Sequence, residues 1–280
     1  MKRVDLHTHT TASDGSCSPR ELVALAKEKD LVALAVTDHD TIDGVEEAQE
    51  AGRRYGIEVI PGIEISTLYS GEMHLLGYYL ELERDWLHES LDRLKEYRQE
   101  RNARILSRLR ELGMDISYDE LWQAAGGGVI GRPHFARVIA EKGYADSIGD
   151  AFRSFLIPGK PAYFPKEKLT PQEGINLVRK AGGIPVLAHP KHLGLSQRAM
   201  DDLVSELKGV GLAGIEAIYT DHTQQDVDFF SELAKKYRLL ITGGSDFHGS
   251  NKPETELGSG RGNLFINDGY VKALQGARNV

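Results

Sequence analysis

Cysteine and long apolar segments are scarce in this chain of 280 residues, and basic residues are outnumbered by acidic ones. Its single cysteine, Cys17, excludes an internal disulfide, which fits a protein of the reducing cytoplasm. No apolar run approaches the roughly 20 residues that cross a bilayer, and the first residues, MKRVDLHTHT, lack the apolar core of a signal peptide. We therefore expect a cytoplasmic protein without a membrane segment.

The balance of charge restricts the class of binding partner. Lys and Arg together number 34 against 42 Asp and Glu, which gives a formal net charge of −8. Strong non-specific binding to long duplex nucleic acid depends on dense positive charge, so the sequence disfavours that partner. A small anionic substrate is compatible with this net charge if bound metal ions supply positive charge. The chain also lacks a serine nucleophile elbow and a P-loop, so neither competes for the role of active site.

Predicted strands and helices alternate at both ends of the chain. The predicted strands cover residues 4–6, 31–37, 57–60, 63–66, 74–80, 184–188, 214–219 and 239–242. Strand–helix alternation is typical of a parallel sheet or a β/α barrel, so we predict an α/β fold. Residues 86–168 show a helical pattern instead. This predicts a helical insertion, residues 86–168, within a barrel domain made of residues 1–85 and 169–280.

Side chains that bind metals stand at or near the ends of these strands. The candidates are His7, His9, Asp14, His39, Glu64, His74, His189, Asp246 and His248. In parallel α/β folds the carboxyl ends of the strands form one active face, so we expect these side chains to converge. Each has an ordinary alternative, such as a surface histidine, a turn-forming aspartate or a helix cap. The set predicts a metal site, because the ordinary alternative would have to hold at several strand ends together.

The types of residue restrict the metal and its chemistry. His7 and His9 are two residues apart, as are Asp246 and His248, so each pair points to one side of an extended chain. Glu64 lies on an otherwise apolar strand, where a carboxylate is costly to bury unless it is paired or bound to metal. Imidazole and carboxylate ligands without thiolate suit Mn, Zn or Fe, and the set suffices for about two or three ions bridged by Glu64. Such a site favours hydrolysis by a metal-activated hydroxide.

Six motifs resemble those of the polymerase-and-histidinol-phosphatase (PHP) family of metal-dependent phosphoesterases. They are DLHTHTTASDG at residues 5–15, TDHDT at 37–41, GIEIS at 62–66, HLLGY at 74–78, LAHP at 187–190 and GSDFH at 244–248. The resemblance implies a distorted β/α barrel of about seven strands that holds several metal ions, with Mn the expected metal. It also implies three ligand sets, which are His7, His9, Glu64 and Asp246; Glu64, His74 and His189; and Asp14, His39 and His248. The first set is the expected catalytic centre.

The helical insertion and the GRPHFAR motif at residues 131–137 resemble the stand-alone branch of that family, which acts on nucleotides. That branch includes nucleoside 3′,5′-bisphosphate phosphatases and the 5′→3′ exonuclease called RNase AM. The resemblance implies hydrolysis of phosphate esters in small phosphorylated nucleotides or short RNA. These 280 residues contain no polymerase domain, so we expect a stand-alone member of the family.

Four side chains of the insertion are candidates for binding the phosphate of a substrate. Arg98 and Arg101 occupy the apolar stripe of the long predicted helix, and Arg132 and His134 form a second cationic pair. Guanidinium groups bind phosphate oxygens in a bidentate manner, so we expect the insertion to act as a lid that holds the phosphate that is not cleaved. The alternatives are that the arginines extend to solvent or pair with acids, and that His134 caps a helix.

Three other functions fit part of the sequence. A histidinol-phosphate phosphatase would need the same metals and would differ in its lid. An amidohydrolase also begins its barrel with His-x-His, but it usually has a bridging lysine and a single final aspartate, where this chain has Glu64 and an Asp-x-His. A metal-stabilised module without catalysis is disfavoured by the complete set of ligands.

Overall fold

Residues 1–69, 73–126, 129–165 and 169–278 are described by the computed structural model. The chain divides into two units: one combines Met1–His88 with Lys168–Val280, and the other is Glu89–Glu167. No helix among the described residues is long and apolar enough to cross a membrane.

Seven strands of the described residues form the sheet of the first unit. They are β1 (Arg3–Thr8), β2 (Leu31–Val36), β3 (Glu58–Ser66), β4 (His74–Tyr78), β5 (Ile184–Leu187), β6 (Gly214–Tyr219) and β7 (Leu240–Gly244), each hydrogen-bonded to the next in chain order. The two ends of the sheet also meet, because the Asp246 amide donates to the His7 carbonyl oxygen and the His9 amide to the Phe247 carbonyl oxygen, each at 2.9 Å. The result confirms the predicted distorted seven-stranded barrel, which is nearly closed.

The fourth strand departs from the predicted parallel arrangement. β4 is antiparallel to both β3 and β5, whereas the other neighbouring pairs are parallel. Only residues 67–73 separate β3 from β4, too few for the crossover of about a dozen residues that parallel strands require. The reversal places His74 opposite Ser66, so the start of β4 lies at the same edge as the carboxyl end of β3.

The third strand is longer than the sequence predicts. Separate strands are expected at residues 57–60 and 63–66, whereas β3 runs without a break from Glu58 to Ser66. Pro61 cannot donate a hydrogen bond, but its carbonyl oxygen accepts one of 2.7 Å from the Tyr79 amide, and the strand continues through it. Glu64 is thereby held on a long strand that is paired on both sides.

Ten α-helices of the described residues connect or follow these strands. They are α1 (Pro19–Glu28), α2 (Val45–Tyr55), α3 (Asp85–Glu111), α4 (Tyr118–Ala124), α5 (Arg132–Glu141), α6 (Ile148–Ala151), α7 (Pro171–Lys180), α8 (Gln197–Val210), α9 (Gln224–Tyr237) and α10 (Asp268–Ala277). Capping boxes begin α1 at Ser18 and α7 at Thr170, where the serine or threonine hydroxyl accepts from the backbone and a glutamate bonds back. α8 begins at Gln197 directly after Ser196, whose side chain accepts a hydrogen bond from the Ala199 amide.

The interior of the barrel is filled by apolar side chains. Leu6, Ala35, Ile60, Leu76 and Val186 come from five successive strands and belong to one buried cluster. Complete burial of a leucine or isoleucine side chain contributes about 1.5–3 kcal/mol. Close packing of this kind holds the strands in register, so the polar side chains at their ends stand on a rigid frame.

The second unit has a core of its own. Ile105 and Leu109 of α3 are buried together with Leu121 of α4 and Phe135 of α5. The spacing of Ile105 and Leu109, four residues apart, places them on one face of α3, as the apolar stripe predicts. The insertion is helical, as expected.

Candidate metal centre

The nine predicted ligands stand at one edge of the barrel. Glu64 lies in β3, His7 lies in β1 and His74 begins β4, while His9 and Asp14 follow β1, His39 follows β2, His189 follows β5, and Asp246 and His248 follow β7. The carboxyl ends of parallel strands share an edge. β4 contributes its first residue instead of its last, because it runs in the opposite direction.

One oxygen of Glu64 faces three histidines. Oε2 lies 3.2 Å from Nε2 of His7, 3.1 Å from Nε2 of His9 and 3.2 Å from Nδ1 of His39. Glu64 is 1% exposed, so this oxygen is withdrawn from water. Its environment is therefore set by the imidazole rings.

The other oxygen of Glu64 faces two further histidines. Oε1 lies 2.9 Å from Nδ1 of His74 and 2.9 Å from Nε2 of His189, and these two nitrogens are 3.3 Å apart. The carboxylate thus stands between two groups of imidazoles. Whether Glu64 bridges two metal ions stays a prediction.

Only one oxygen of Asp246 faces the histidines that surround Oε2 of Glu64. Oδ1 lies 3.5 Å from Nε2 of His7 and 3.2 Å from Nε2 of His9. Oδ2 accepts a hydrogen bond of 2.8 Å from the Tyr219 hydroxyl and lies 2.7 Å from Nζ of Lys252. The second oxygen is therefore directed away from the histidines.

Asp14 lies close to a third group of histidines. Its Oδ1 lies 3.3 Å from Nε2 of His248 and 3.7 Å from Nδ1 of His9, and its Oδ2 lies 3.9 Å from Nε2 of His39. His9 and His39 each have one nitrogen towards Asp14 and the other towards Glu64. Each histidine could therefore belong to either group, and its assignment to one of the predicted ligand sets stays a prediction.

The loop that carries Asp14 is fixed by a buried carboxylate. Asp38 accepts hydrogen bonds of 2.7 Å from both the amide and the hydroxyl of Thr10, and one of 2.5 Å from the Ser13 hydroxyl. These three donors use both oxygens of Asp38. This residue of the TDHDT motif is consequently an anchor of the loop and not one of the candidate ligands.

The donor atoms fit divalent metal ions. Three groups of them lie within 4.8 Å of one another, namely His9, Asp14, His39 and His248; His7, His9, Glu64 and Asp246; and His39, Glu64 and His74. Atoms that share an ion at about 2.1 Å are about 3 Å apart, which is close to the separations around Glu64. Nε2 of His7, Nε2 of His9 and Oε2 of Glu64 are buried and make no hydrogen bond within the part of the chain that the structure describes. A cation would satisfy all three.

The carboxylates change the pKa of the histidines that they surround. Burial opposes a charge on His9, but Asp246 and Glu64 outweigh it and raise its pKa to about 9. Burial also opposes a charge on His7, yet Glu216 and Glu64 raise its pKa well above the usual range. Protons on these rings and a metal ion therefore compete for the same nitrogens.

A model of the family described as the PHP domain matches residues 5–152 of the chain. The chain belongs to the PHP family. One PHP relative, the 5′-3′ exoribonuclease Rnm of Escherichia coli (strain K12), is 35% identical over 257 residues, which cover 91% of this chain and 87% of the relative. Another, the 3′,5′-nucleoside bisphosphate phosphatase of Chromobacterium violaceum, is 29% identical over 260 residues, which cover 92% of this chain and 91% of the relative.

A solved structure of similar fold is a metal-dependent phosphoesterase from Bifidobacterium adolescentis. It superposes with a TM-score of 0.86 at 29% identity and covers 99% of this chain and 96% of that one. The comparisons confirm the predicted family, the β/α barrel and the class of enzyme, a metal-dependent hydrolase of phosphoester bonds.

Three polar residues beside the PHP metal centre are missed by the sequence reasoning. Glu216 of β6 is buried and contacts His7, while Tyr219 and Lys252 hold Asp246. Glu216 could have been found by the argument used for Glu64, because it also stands on an apolar strand, GIEAIY. Tyr219 and Lys252 carry no such signal, because a tyrosine in a strand and a lysine in a loop are common.

The four predicted phosphate-binding residues belong to the second unit. Arg98 and Arg101 lie on α3, and Arg132 and His134 begin α5. Nδ1 of His134 accepts a hydrogen bond of 2.9 Å from the Gly131 amide, which is the helix-cap alternative for that nitrogen. The role of these residues towards a substrate stays a prediction.

Proposed function

We propose that this chain hydrolyses phosphate esters of 3′,5′-bisphosphorylated nucleosides or of short oligoribonucleotides. The observation that carries the proposal is the position of Glu64, each of whose oxygens lies within 3.2 Å of histidine nitrogens. A carboxylate in this position could hold one cation on each side, and paired cations would stabilise the attacking and leaving oxygens of a phosphate ester. The choice of nucleotides is supported by the names of two relatives, an exoribonuclease and a nucleoside bisphosphate phosphatase.

About two or three divalent ions would serve this reaction, with Mn as the proposed metal and Zn or Fe as alternatives. His7, His9, Glu64 and Asp246 would hold one ion, Glu64, His74 and His189 a second, and Asp14, His39 and His248 a third. When bound, the ions would supply a water of lowered pKa and positive charge for the phosphate oxygens. The donor set, which combines imidazoles with carboxylates and has no thiolate, suits Mn, Zn or Fe.

Neighbouring side chains hold the two candidate carboxylate ligands, Asp246 and Glu64, in different ways. Tyr219 and Lys252 hold Oδ2 of Asp246, so Asp246 would bind through Oδ1 alone. Glu64 would bind through both oxygens. The Lys252 side chain is 42% exposed, and its ammonium group adds a fixed positive charge beside the centre, which favours an anionic substrate.

The second unit would bind the phosphate that is not cleaved. Arg98 and Arg101 are three residues apart on α3 and so share a face of that helix. Together with Arg132 and His134 at the start of α5, they offer donors suited to phosphate oxygens. The net charge of −8 supports short substrates over long duplexes, and the single cysteine supports action in a reducing cytoplasm.

The test is product analysis with a panel of substrates, after a chelator has removed the metal and again after Mn²⁺ has been returned. The panel contains adenosine 3′,5′-bisphosphate, a 5′-phosphorylated and 3′-labelled oligoribonucleotide, histidinol phosphate and a hydantoin. We expect phosphate release from the bisphosphate, or stepwise shortening of the labelled RNA from its 5′ end, only in the presence of Mn²⁺. A ladder of shortened products would distinguish repeated cleavage from a single cut.

Two glutamine variants complete the test. Glu64→Gln removes the second acceptor oxygen of the proposed bridge, and we expect it to abolish turnover. Glu206→Gln makes the same change of charge at an exposed position of α8 and should keep the wild-type rate. Release of phosphate from histidinol phosphate alone would overturn the choice of substrate, whereas full activity of Glu64→Gln would overturn the centre itself.

A further inference from the structure

Glu216 is a buried carboxylate outside the three groups of candidate ligands. It stands on β6 with no exposed surface, and its two oxygens contact two different residues of the metal centre. Oε1 lies 3.0 Å from Nδ1 of His7, and Oε2 accepts a hydrogen bond of 2.7 Å from the His189 amide. Burial of a carboxylate is costly unless its oxygens are bonded, and here both bonds are made to ligand residues.

The contact with His7 determines which ring nitrogen faces the centre. An ionised carboxylate oxygen can only accept, so Nδ1 of His7 must carry the hydrogen in this contact. In the neutral ring, which is the form that binds a metal, the lone pair is then on Nε2, which lies 3.2 Å from Oε2 of Glu64. A carboxylate behind a ligand histidine fixes its tautomer and raises its basicity towards a metal.

The contact with His189 acts on the backbone. His189 has a φ of 25° and a ψ of 59°, a conformation that is costly for a residue other than glycine. The hydrogen bond from its amide to Glu216 stabilises this conformation. In it, Nε2 of His189 lies 2.9 Å from Oε1 of Glu64.

We propose that Glu216 is a positioning residue that prepares both sides of the Glu64 bridge for metal binding. It acts through the ring of His7 on one side and through the backbone of His189 on the other. Both of its oxygens are used by N–H groups of the protein, so it supplies no ligand itself. The inference rests on the metal centre of the proposed function and is independent of the choice of substrate.

The two contacts of Glu216 make Glu216→Gln an informative test. The contacts with His7 and His189 both need an acceptor, and only a carboxylate offers one on each side. In Glu216→Gln, the amide has one acceptor oxygen and one NH₂ group. Whichever way it turns, it presents its NH₂ group to an N–H of His189 or to Nδ1 of His7. The His189 backbone is then unsupported, or the His7 ring is driven to the wrong tautomer.

The experiment measures Zn²⁺ binding by competition with a chromophoric chelator and compares wild type with two variants. We expect Glu216→Gln to bind Zn²⁺ about 10- to 100-fold more weakly at one or more sites. Glu256→Gln, an exposed change of the same charge at a carboxylate that contacts Lys29 and Ser259, should keep the wild-type affinities. A purely structural role would lower the melting temperature of Glu216→Gln without changing its affinity for Zn²⁺. Wild-type affinities in folded Glu216→Gln would therefore overturn the proposal.

A second measurement needs no variant. In wild-type protein loaded with diamagnetic Zn²⁺, long-range ¹H–¹⁵N spectra of labelled histidines report which nitrogen of each ring carries hydrogen. We expect His7 to hold the metal through Nε2 and to keep a slowly exchanging hydrogen on Nδ1. Coordination through Nδ1 of His7 would contradict the inference. Neither measurement uses a phosphorylated substrate, so an error in the proposed substrate would leave both results unchanged.

Discussion

The carboxylate of Asp5 joins the first strand to the segment that follows the last one by accepting two hydrogen bonds from Ser245, 2.9 Å from its amide and 2.5 Å from its hydroxyl. The Gly258 amide donates to the same carboxylate at 2.8 Å. Asp5 stands two residues before His7, and Ser245 stands directly before Asp246. The pair therefore places side by side two candidate ligands, His7 and Asp246, that come from opposite ends of the sequence.

Asp5→Asn should destabilise the protein, because the amide has one acceptor oxygen where the carboxylate has two. At least one buried donor would lose its partner, and we expect the free energy of unfolding to fall by about 2–3 kcal/mol. Urea unfolding followed by circular dichroism measures this change. Asp201→Asn, at the partly exposed partner of Lys236, is the control and should leave the unfolding midpoint nearly unchanged. A wild-type midpoint for Asp5→Asn would show that these bonds do not stabilise the barrel.

Asp246→Asn and His7→Ala should abolish turnover and lower the metal content while the fold stays mostly intact. Each removes one member of the group around Oε2 of Glu64, and the remaining members still pack in the barrel. Metal analysis of protein purified without a chelator, together with circular dichroism, tests the expectation. If either variant keeps its metal and its rate, the assignment of that residue as a ligand is wrong.

Metal affinity should rise with pH. The pKa of His9 is raised to about 9 by the carboxylates that outweigh its burial, so its ring is mostly protonated below that pH in metal-free protein. A metal needs the neutral ring, and its binding therefore releases protons. Calorimetry in buffers of different ionisation enthalpy counts these protons, and we expect tighter binding at about pH 9 than at about pH 6.5. An affinity that is constant over this range would contradict the expectation that a metal displaces a proton from His9.

The stability of metal-free protein should change in the opposite direction. The pKa of His9 is raised from 6.5 to about 9 in the folded state, so the stabilisation is complete below about pH 6.5 and is lost as the pH rises through 9. The pKa of Glu64 is well below its ordinary value, because nearby histidines outweigh its burial, and its contribution is lost only in acid. Denaturant unfolding of chelator-treated protein over this range measures the trend, and a rise in stability towards pH 9 would contradict it.

Arg98→Ala should weaken the binding of substrates that carry a second phosphate. If the guanidinium holds the phosphate that is not cleaved, KM should rise for adenosine 3′,5′-bisphosphate and change little for a nucleoside monophosphate. Arg153→Ala removes an exposed arginine of the same unit and is the matched control. An unchanged KM for the bisphosphate in Arg98→Ala would count against the proposed lid.

The barrel could be predicted largely from local patterns. Apolar runs such as residues 31–37 mark buried strands, and capping boxes at Ser18 and Thr170 mark helix starts, because these features depend on neighbours in the chain. The direction of β4 was missed for a different reason: the strand–helix alternation elsewhere in the chain favoured parallel strands, whereas the connection at residues 67–73 is too short for a parallel crossover. The continuity of β3 through Pro61 could not be predicted from local patterns, because it depends on a hydrogen bond from the Tyr79 amide.

For the metal centre, the sequence by itself determined the chemistry: imidazoles and carboxylates at strand ends, without thiolates, in motifs typical of one family. The tertiary structure decided the arrangement, in which Glu64 stands between two groups of histidines and Tyr219 and Lys252 turn one oxygen of Asp246 away from them. It also showed Glu216 behind His7 and His189. Residue type is a property of the chain and can be read along it, whereas a contact between residues far apart in sequence exists only once the barrel has brought their strands together.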